Sequence, residues 1–105
     1  MELHPALRAL DPDEEVHVQV PAGDTMVIVT DRRLAIAYPH RIALNVPIAN
    51  LRRVQFDVER DRPATLAIVP QQPQDEPQIL LVQPAEYEGV AQALVTIGRR
   101  FAATY

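Results

Sequence analysis

The chain has 105 residues and a formal net charge of −4, with 48% hydrophobic and 23% charged residues. This length and composition predict a single globular domain spanning residues 1–105 and exclude a disordered chain. The absence of cysteine excludes disulfides, thiolate nucleophiles and sulfur-ligated zinc, and the acidic charge disfavours nucleic-acid partners and membrane contact, because Lys and Arg supply both kinds of binding.

The sequence shows no targeting signal of a familiar kind. No stretch approaches the roughly 20 apolar residues that cross a bilayer, and residues 1–5 have neither the basic start nor the apolar run of a signal peptide. Together with the absence of cysteine, which fits a reducing compartment, these features predict a cytoplasmic protein.

Most of the chain before residue 84 is predicted to form strands. Residues 3–10 first predict one or two helical turns, with Leu3, Ala6, Leu7 and Leu10 on one side. Between residues 14 and 83 the dominant hydrophobic period is two, which is the signature of strands. Seven strands are predicted, at residues 16–20, 25–30, 33–38, 42–48, 54–58, 65–69 and 79–82.

The fourth and fifth strands alternate most clearly. The apolar residues of the fourth are Ile42, Leu44, Val46 and Ile48, and those of the fifth are Val54, Phe56 and Val58. Pro47 favours an edge position or a strand end at this point of the fourth strand, because proline has no N–H to donate to a neighbouring strand. In the fifth, Arg53, Gln55, Asp57 and Glu59 occupy the alternate positions, which predicts one dry and one wet face.

At Pro84 the hydrophobic period changes from two to 3.6, which predicts a closing helix over residues 84–104. Pro84 suits the first helical position, and Glu86 suits the first turn, beside the positive end of the helix dipole. The predicted apolar stripe contains Tyr87, Val90, Ala91, Leu94, Ile97, Gly98 and Phe101.

Seven strands followed by one amphipathic helix resemble the pleckstrin-homology-like superfold in its small bacterial branch. The resemblance rests on residues 12–16, on a Thr-Asp-x-Arg-Leu turn at 30–34, on Pro-Ile-x-x-Leu-x-x-Val at 47–54 and on the closing helix. It implies a mainly β fold with one C-terminal α-helix, in which seven antiparallel strands form a strongly bent sheet or half-barrel that the helix closes.

The resemblance implies a binding or scaffolding role, since such domains bind phosphoinositides, peptides or proteins, and some bacterial ones form oligomers. Lipid-binding members carry a lysine- and arginine-rich loop between their first two strands. Here that loop, residues 21–24, contains no basic residue, which argues against recognition of a phosphoinositide.

Two kinds of binding surface follow from the pattern. An exposed strand edge can add a peptide as an extra strand, and the candidate partner edges are the fourth and fifth strands, with Ile42, Leu44, Val46, Ile48, Val54, Phe56 and Val58. Alternatively, Arg32, Arg33, Arg52 and Arg53 could meet across neighbouring strands and bind a carboxylate or phosphate. They could equally pair with Asp31, Asp57 and Glu59 on the surface, which is the interpretation we favour.

The sequence offers little for catalysis. The three histidines lie in separate segments without metal-ligand spacing, serine is absent, and the three glycines are too scattered to cradle a phosphate. We therefore expect no enzyme, no metal and no cofactor. The predicted function is a non-catalytic module that binds another protein, or a second copy of itself, through a sheet edge. A lipid or small-anion module is the first alternative, and an enzyme of unrecognised type the second.

Overall fold

The computed structural model describes the backbone of residues 13–104 and the side chains of residues 13–99. The helical turns predicted over residues 3–10 lie outside the described residues. Seven antiparallel strands followed by one C-terminal helix are confirmed. The strands are β1 (Val16–Ala22), β2 (Thr25–Thr30), β3 (Arg33–Tyr38), β4 (Arg41–Pro47), β5 (Leu51–Asp57), β6 (Ala64–Pro70) and β7 (Gln78–Val82), and the helix is α1 (Tyr87–Thr104).

Hydrogen bonding divides the strands into two sheets rather than one bent sheet. Sheet A has the order β1-β2-β3-β4, and sheet B has the order β5-β6-β7. A 3-10 turn, Ile48–Asn50, separates β4 from β5. β4 ends at Pro47, one residue earlier than predicted, and the N–H of Ile48 donates to the carbonyl of Arg32 at 2.9 Å where the chain turns away.

The inner faces of both sheets and one side of α1 form a single apolar core. Sheet A contributes the alternate residues of β2 and β3, such as Val27 and Leu34, and sheet B contributes those of β6, such as Ile68. Among the described side chains of α1, those of Val90, Ala93 and Ile97 are buried; Phe101 of the predicted stripe lies outside the described side chains. The helix therefore covers the open side of the two sheets and removes their apolar interior from water.

The helix contacts the core with a slightly rotated face compared with the prediction. Ala93 is buried although the predicted stripe omits it, whereas Ala91 and Gly98 are exposed. Tyr87 and Leu94 are half-buried and pack against the edge of the core. The centre of the contact is the line through Val90, Ala93 and Ile97, which are spaced three and four residues apart.

The start of the helix is connected to the turn between β1 and β2. A 3-10 turn, Pro84–Glu86, precedes α1. The Glu86 carboxylate accepts hydrogen bonds from the N–H of Gln83 at 2.9 Å and from the N–H of Gly23 at 3.0 Å. One carboxylate thus satisfies a free donor before the helix and fixes the distant turn beside it.

Alanine substitutions at two glycines, Gly23 and Gly98, should change the stability of the protein in opposite directions. Gly23 has a φ of +61°, and a Cβ there would lie 2.7 Å from the Leu81 carbonyl oxygen, whereas a Cβ on Gly98 would meet nothing within 4 Å. We expect Gly23→Ala to lower the free energy of unfolding by about 1–3 kcal/mol. Gly98→Ala should raise it by about 0.5–1 kcal/mol, because alanine favours the helix. Denaturant unfolding measures both, and equal stability of the two variants would contradict the account.

Candidate binding surfaces

The strands predicted as partner edges lie at the ends of their sheets. Within residues 13–104, β4 is one of the two terminal strands of sheet A, with β1 at the other end, and β5 is one of the two terminal strands of sheet B, with β7 at the other end. β4 and β5 therefore each have a row of N–H and C=O groups on the side away from their sheet neighbour. On β4 the side chains of Leu44 and Val46 are buried, as is Ile48 just after the strand, while Ile42 is 43% exposed. A partner would reach the backbone of β4 and Ile42, but not the other predicted side chains.

β5 presents more apolar surface at its edge. Val54 and Phe56 are half-buried and pack against the core, as the predicted dry face requires. Val58 is different: it is 56% exposed, because β5 ends at Asp57 and the alternation stops there. The prediction that Val58 lies on the dry face is therefore wrong. A register irregularity between Leu51 and Arg53 also shifts the phase at the beginning of the strand.

The edge of β5 lies beside the beginning of α1. The rings of Phe56 and Tyr87 have centroids 5.7 Å apart and an interplanar angle of 77°, an edge-to-face contact. Val54, Phe56 and Tyr87 are all half-buried, and we call these three residues the apolar rim. The rim brings partly exposed apolar side chains to the same place as a terminal strand.

The opposite face of β5 carries a row of hydrogen-bonded polar side chains. The Arg53 guanidinium donates to Gln55 Oε1, and Gln55 Nε2 donates to the two oxygens of Asp57 at 2.8 and 3.0 Å. Arg53 is thereby linked to a carboxylate through an amide. Arg52, its neighbour, is exposed.

Arg32 and Arg33 are in the other sheet, and both have acidic partners. Arg32 makes a two-pronged contact with the Asp13 carboxylate at 2.6 and 3.2 Å. Arg33 Nε lies 2.9 Å from Glu14 Oε2, and the Glu14 side chain is fully buried. A shallow cleft of about 320 Å³ is lined by Arg32, Arg33, Asn45 and Pro47, so it contains one predicted arginine pair and not the other.

The acidic partners of the arginines agree with the prediction for Asp31 and differ from it for Glu59. Asp31 lies 3.9 Å from Arg32, but Glu59 pairs with Arg62 at 3.6 Å. Thr30, which is completely buried, completes the group around Glu14. Its hydroxyl donates to Glu14 Oε2 at 2.5 Å and accepts the backbone N–H groups of Arg32 and Arg33 at 3.0 and 2.9 Å. Strand periodicity gave no signal for this group.

The turn between β1 and β2 carries acidic groups. Asp24 is exposed there, and Glu86 holds the N–H of Gly23. Two carboxylates so close to the turn repel an anionic ligand.

No group of three or more His, Asp or Glu side chains within residues 13–99 is placed to hold a metal ion. His17 and His40 are both exposed. In the described part of the chain, no helix combines the length and apolarity needed to cross a membrane.

Sequence reasoning missed the outer face of β7. Ile79 is 72% exposed and Leu81 is 56% exposed, whereas Leu80 and Val82 point into the core. Because residues 79–82 are all apolar, the sequence gives no alternation that would assign a face to each. The exposed pair adds an apolar strip to the outside of sheet B.

No protein-family model matches this sequence, and no curated protein matches it. Among solved structures, the fold is similar to a crystal structure of a pleckstrin homology domain from Shewanella amazonensis SB2B. The TM-score is 0.64 at 18% sequence identity, and the match covers 93% of this chain and 97% of that one. The likeness confirms the predicted pleckstrin-homology-like fold.

The Asp13–Arg32 pair predicts a measurable titration. The hydrogen bond and the charge of Arg32 hold the pKa of the Asp13 carboxyl below its ordinary value of 3.8. A lowered pKa in the folded state means that this pair stabilises the fold fully above pH 3.8 and loses its effect as the pH falls through the lower, folded-state value. We expect NMR titration of Asp13 to give a midpoint below 3.8.

The variant Arg32→Ala should move that midpoint upward, because it removes the main cause of the shift. Arg62→Ala, which removes a different exposed arginine paired with Glu59, is the matched control and should leave Asp13 unchanged. An Asp13 midpoint that is the same in both variants would contradict the assigned pairing.

Proposed function

We propose that this chain, which has a pleckstrin-homology-like fold, is a non-catalytic binding module that takes up an extended segment along the free edge of β5. The segment belongs to another protein or to a second copy of the chain. One observation carries the proposal: a terminal strand lies beside the closing helix, with the apolar rim of Val54, Phe56 and Tyr87 at the junction.

The chemistry of the edge suits an added strand. The backbone groups on the outer side of β5 supply hydrogen bonds that do not depend on the partner's sequence. The rim then selects for apolar side chains at alternate positions of the incoming strand, because alternate residues point toward the same face. Affinity and selectivity thus come from two different parts of the same edge.

β5 is a better candidate than β4. On β4 the apolar side chains Leu44 and Val46 are almost completely buried, so they offer no surface to a partner. At the beginning of β4, the Arg41 guanidinium stacks over the Tyr38 ring at 4.3 Å, which directs that side chain toward its own sheet. On β5, by contrast, the larger apolar side chains Val54 and Phe56 are half-buried.

An anionic lipid or small anion is less well supported. Arg32 and Arg33 contact carboxylates, and Arg53 is linked to Asp57, so an incoming anion would have to compete with these acidic groups. Asp24 in the turn between β1 and β2, and Glu86 hydrogen-bonded to that turn, add two more carboxylates, and the net charge is −4. These features oppose an anion at both places where the fold or the sequence suggested one.

The test uses proline at two neighbouring positions of β5, Val54 and Gln55. Neighbouring N–H groups of a strand point to opposite sides, so one proline removes a donor to β6 and the other removes a donor on the free edge. Amide hydrogen exchange of the unmodified protein shows which of these two N–H groups is bonded to β6 and which lies on the free edge. Val54→Ala controls for the loss of the valine side chain.

We expect the edge-side proline to abolish binding while the melting temperature falls by only a few degrees. The ladder-side proline should destabilise the fold by about 3 kcal/mol. Binding is measured as proteins recovered from the native host with the tagged chain, and as self-association by sedimentation equilibrium. A partner that still binds the edge-side variant would refute the proposal, as would salt-sensitive binding to anionic vesicles as the only interaction found.

A further inference from the structure

A polar cleft lies between the first strand and the closing helix. Near the beginning of α1 the two elements touch, since a Cβ on Gly89 would lie only 3.0 Å from the Cγ1 of Val20. Further along α1, a cleft of about 420 Å³ lies between the helix and β1. Small-molecule sites have volumes of about 300–1,000 Å³, so the cleft is large enough for a small ligand.

Two elements supply the described residues that line the cleft. β1 contributes His17 and Val18, and α1 contributes Gln92, Thr96 and Arg99. The three helix residues are four and three positions apart, so they form one row along the helix. Val18 is only 7% exposed and belongs to the core. The cleft therefore meets the apolar core at one point, and the other four side chains around it are polar.

A β-bulge occurs in β1 at the cleft. Val16 pairs with Thr30 and Val18 pairs with Val29, so β1 has one residue more than β2 at this place, and His17 is the extra residue. An extra residue bends the strand and redirects a side chain, and bulges are frequent next to functional sites. The irregularity of β1 therefore coincides with the polar strand residue of the cleft.

Arg99 gives the cleft a positive charge. Its side chain is exposed, and none of the described acidic residues forms an ion pair with it. Glu15, just before β1, and Glu88, near the beginning of α1, are not among the residues that line the cleft. The cleft is thus a locally positive place in a chain whose net charge is −4.

We propose that this cleft binds a carboxylate that has a hydrogen-bond donor on the carbon next to it. The Arg99 guanidinium offers two parallel N–H groups, which match the two oxygens of a carboxylate. His17, across the cleft on β1, favours an anion further when its imidazole is protonated. The Thr96 hydroxyl donates to the backbone carbonyl of Gln92 at 2.9 Å, so toward a ligand its oxygen acts as an acceptor and requires an O–H or N–H group there.

A carboxylate suits the charge of the cleft better than a phosphate. One guanidinium balances one negative charge, whereas a phosphate monoester carries about −1.5 to −2 at neutral pH. Two kinds of molecule present a carboxylate with a neighbouring donor: an α-hydroxy acid, through its O–H, and the C-terminus of a peptide, through its last N–H. The inference does not depend on the proposed function, because no residue of β5 lines the cleft.

The test is an NMR titration of the full isotope-labelled chain with small acids at constant ionic strength. Lactate has the hydroxyl, N-acetylalanine has the N–H of a peptide C-terminus, and propionate has neither. We expect saturable shifts of the backbone amides of residues 17–18 and 92–99, and several-fold tighter binding of lactate or N-acetylalanine than of propionate. The tighter of these two ligands assigns the site to a free hydroxy acid or to a peptide C-terminus.

Three results would overturn the proposal. The first is equal binding of lactate, N-acetylalanine and propionate, because the Thr96 acceptor would then have no effect. The second is tighter binding of inorganic phosphate than of any of these acids. The third is the absence of saturable shifts at residues 17–18 and 92–99.

Variants of the lining residues give a second readout. Arg99→Gln should weaken the binding of every acid about tenfold, because it removes the charged donor. Arg60→Gln makes the same charge change at an exposed arginine that does not line the cleft, and it is the matched control. Thr96→Val should lower the affinity for lactate and N-acetylalanine to that for propionate and leave propionate unchanged. Equal affinities of Arg99→Gln and Arg60→Gln would contradict the assigned site.

Discussion

The structure depends on one constraint: two short sheets share a single apolar interior, and neither can bury its inner face alone. Val27 and Leu34 from sheet A and Ile68 from sheet B meet in that interior, and α1 closes it with Val90 and Ile97. Because the sheets separate at the 3-10 turn after β4, both β4 and β5 are left as terminal strands. The free edge beside the helix is thus a consequence of how the core is closed.

Most of the arginines that the sequence suggested as anion ligands have a carboxylate close to them. Each arginine that the sequence suggested as an anion ligand, apart from Arg52, contacts or is linked to a carboxylate. The Thr30 hydroxyl is central on sheet A, since it joins the buried Glu14 carboxylate to the backbone N–H groups of residues 32 and 33. A buried carboxylate is stable only when donors surround it. The arginines of sheet A therefore act as part of the framework, where they hold residues 13 and 14 against the sheet.

The hydrophobic pattern, which alternates in most strands and is an almost unbroken apolar run in β2 and β7, predicted all seven strands and the helix. It could not predict the division into two sheets, since Ile48 and Leu51 continue an apolar pattern through the break. Nor could it assign the exposed faces of Ile79 and Leu81 within a run of apolar residues, or the exposure of Val58 beyond the end of β5. The arginines were recognisable as pairs, but the Asp13 partner of Arg32 is 19 residues away in sequence. Such contacts depend on the path of the whole chain, which local patterns do not contain.

The measurement that tests the central claim most directly is amide hydrogen exchange of β5 in the isolated protein. A free edge means that alternate N–H groups of residues 51–57 exchange rapidly, while those between them, bonded to β6, are protected. The amides of residues 65–68 of β6, which pair with both β5 and β7, should all be slow. We expect this alternating pattern in β5 and uniform protection of residues 65–68. Uniform protection of β5 would show that its edge is already covered in the free protein and would contradict the account of a binding edge.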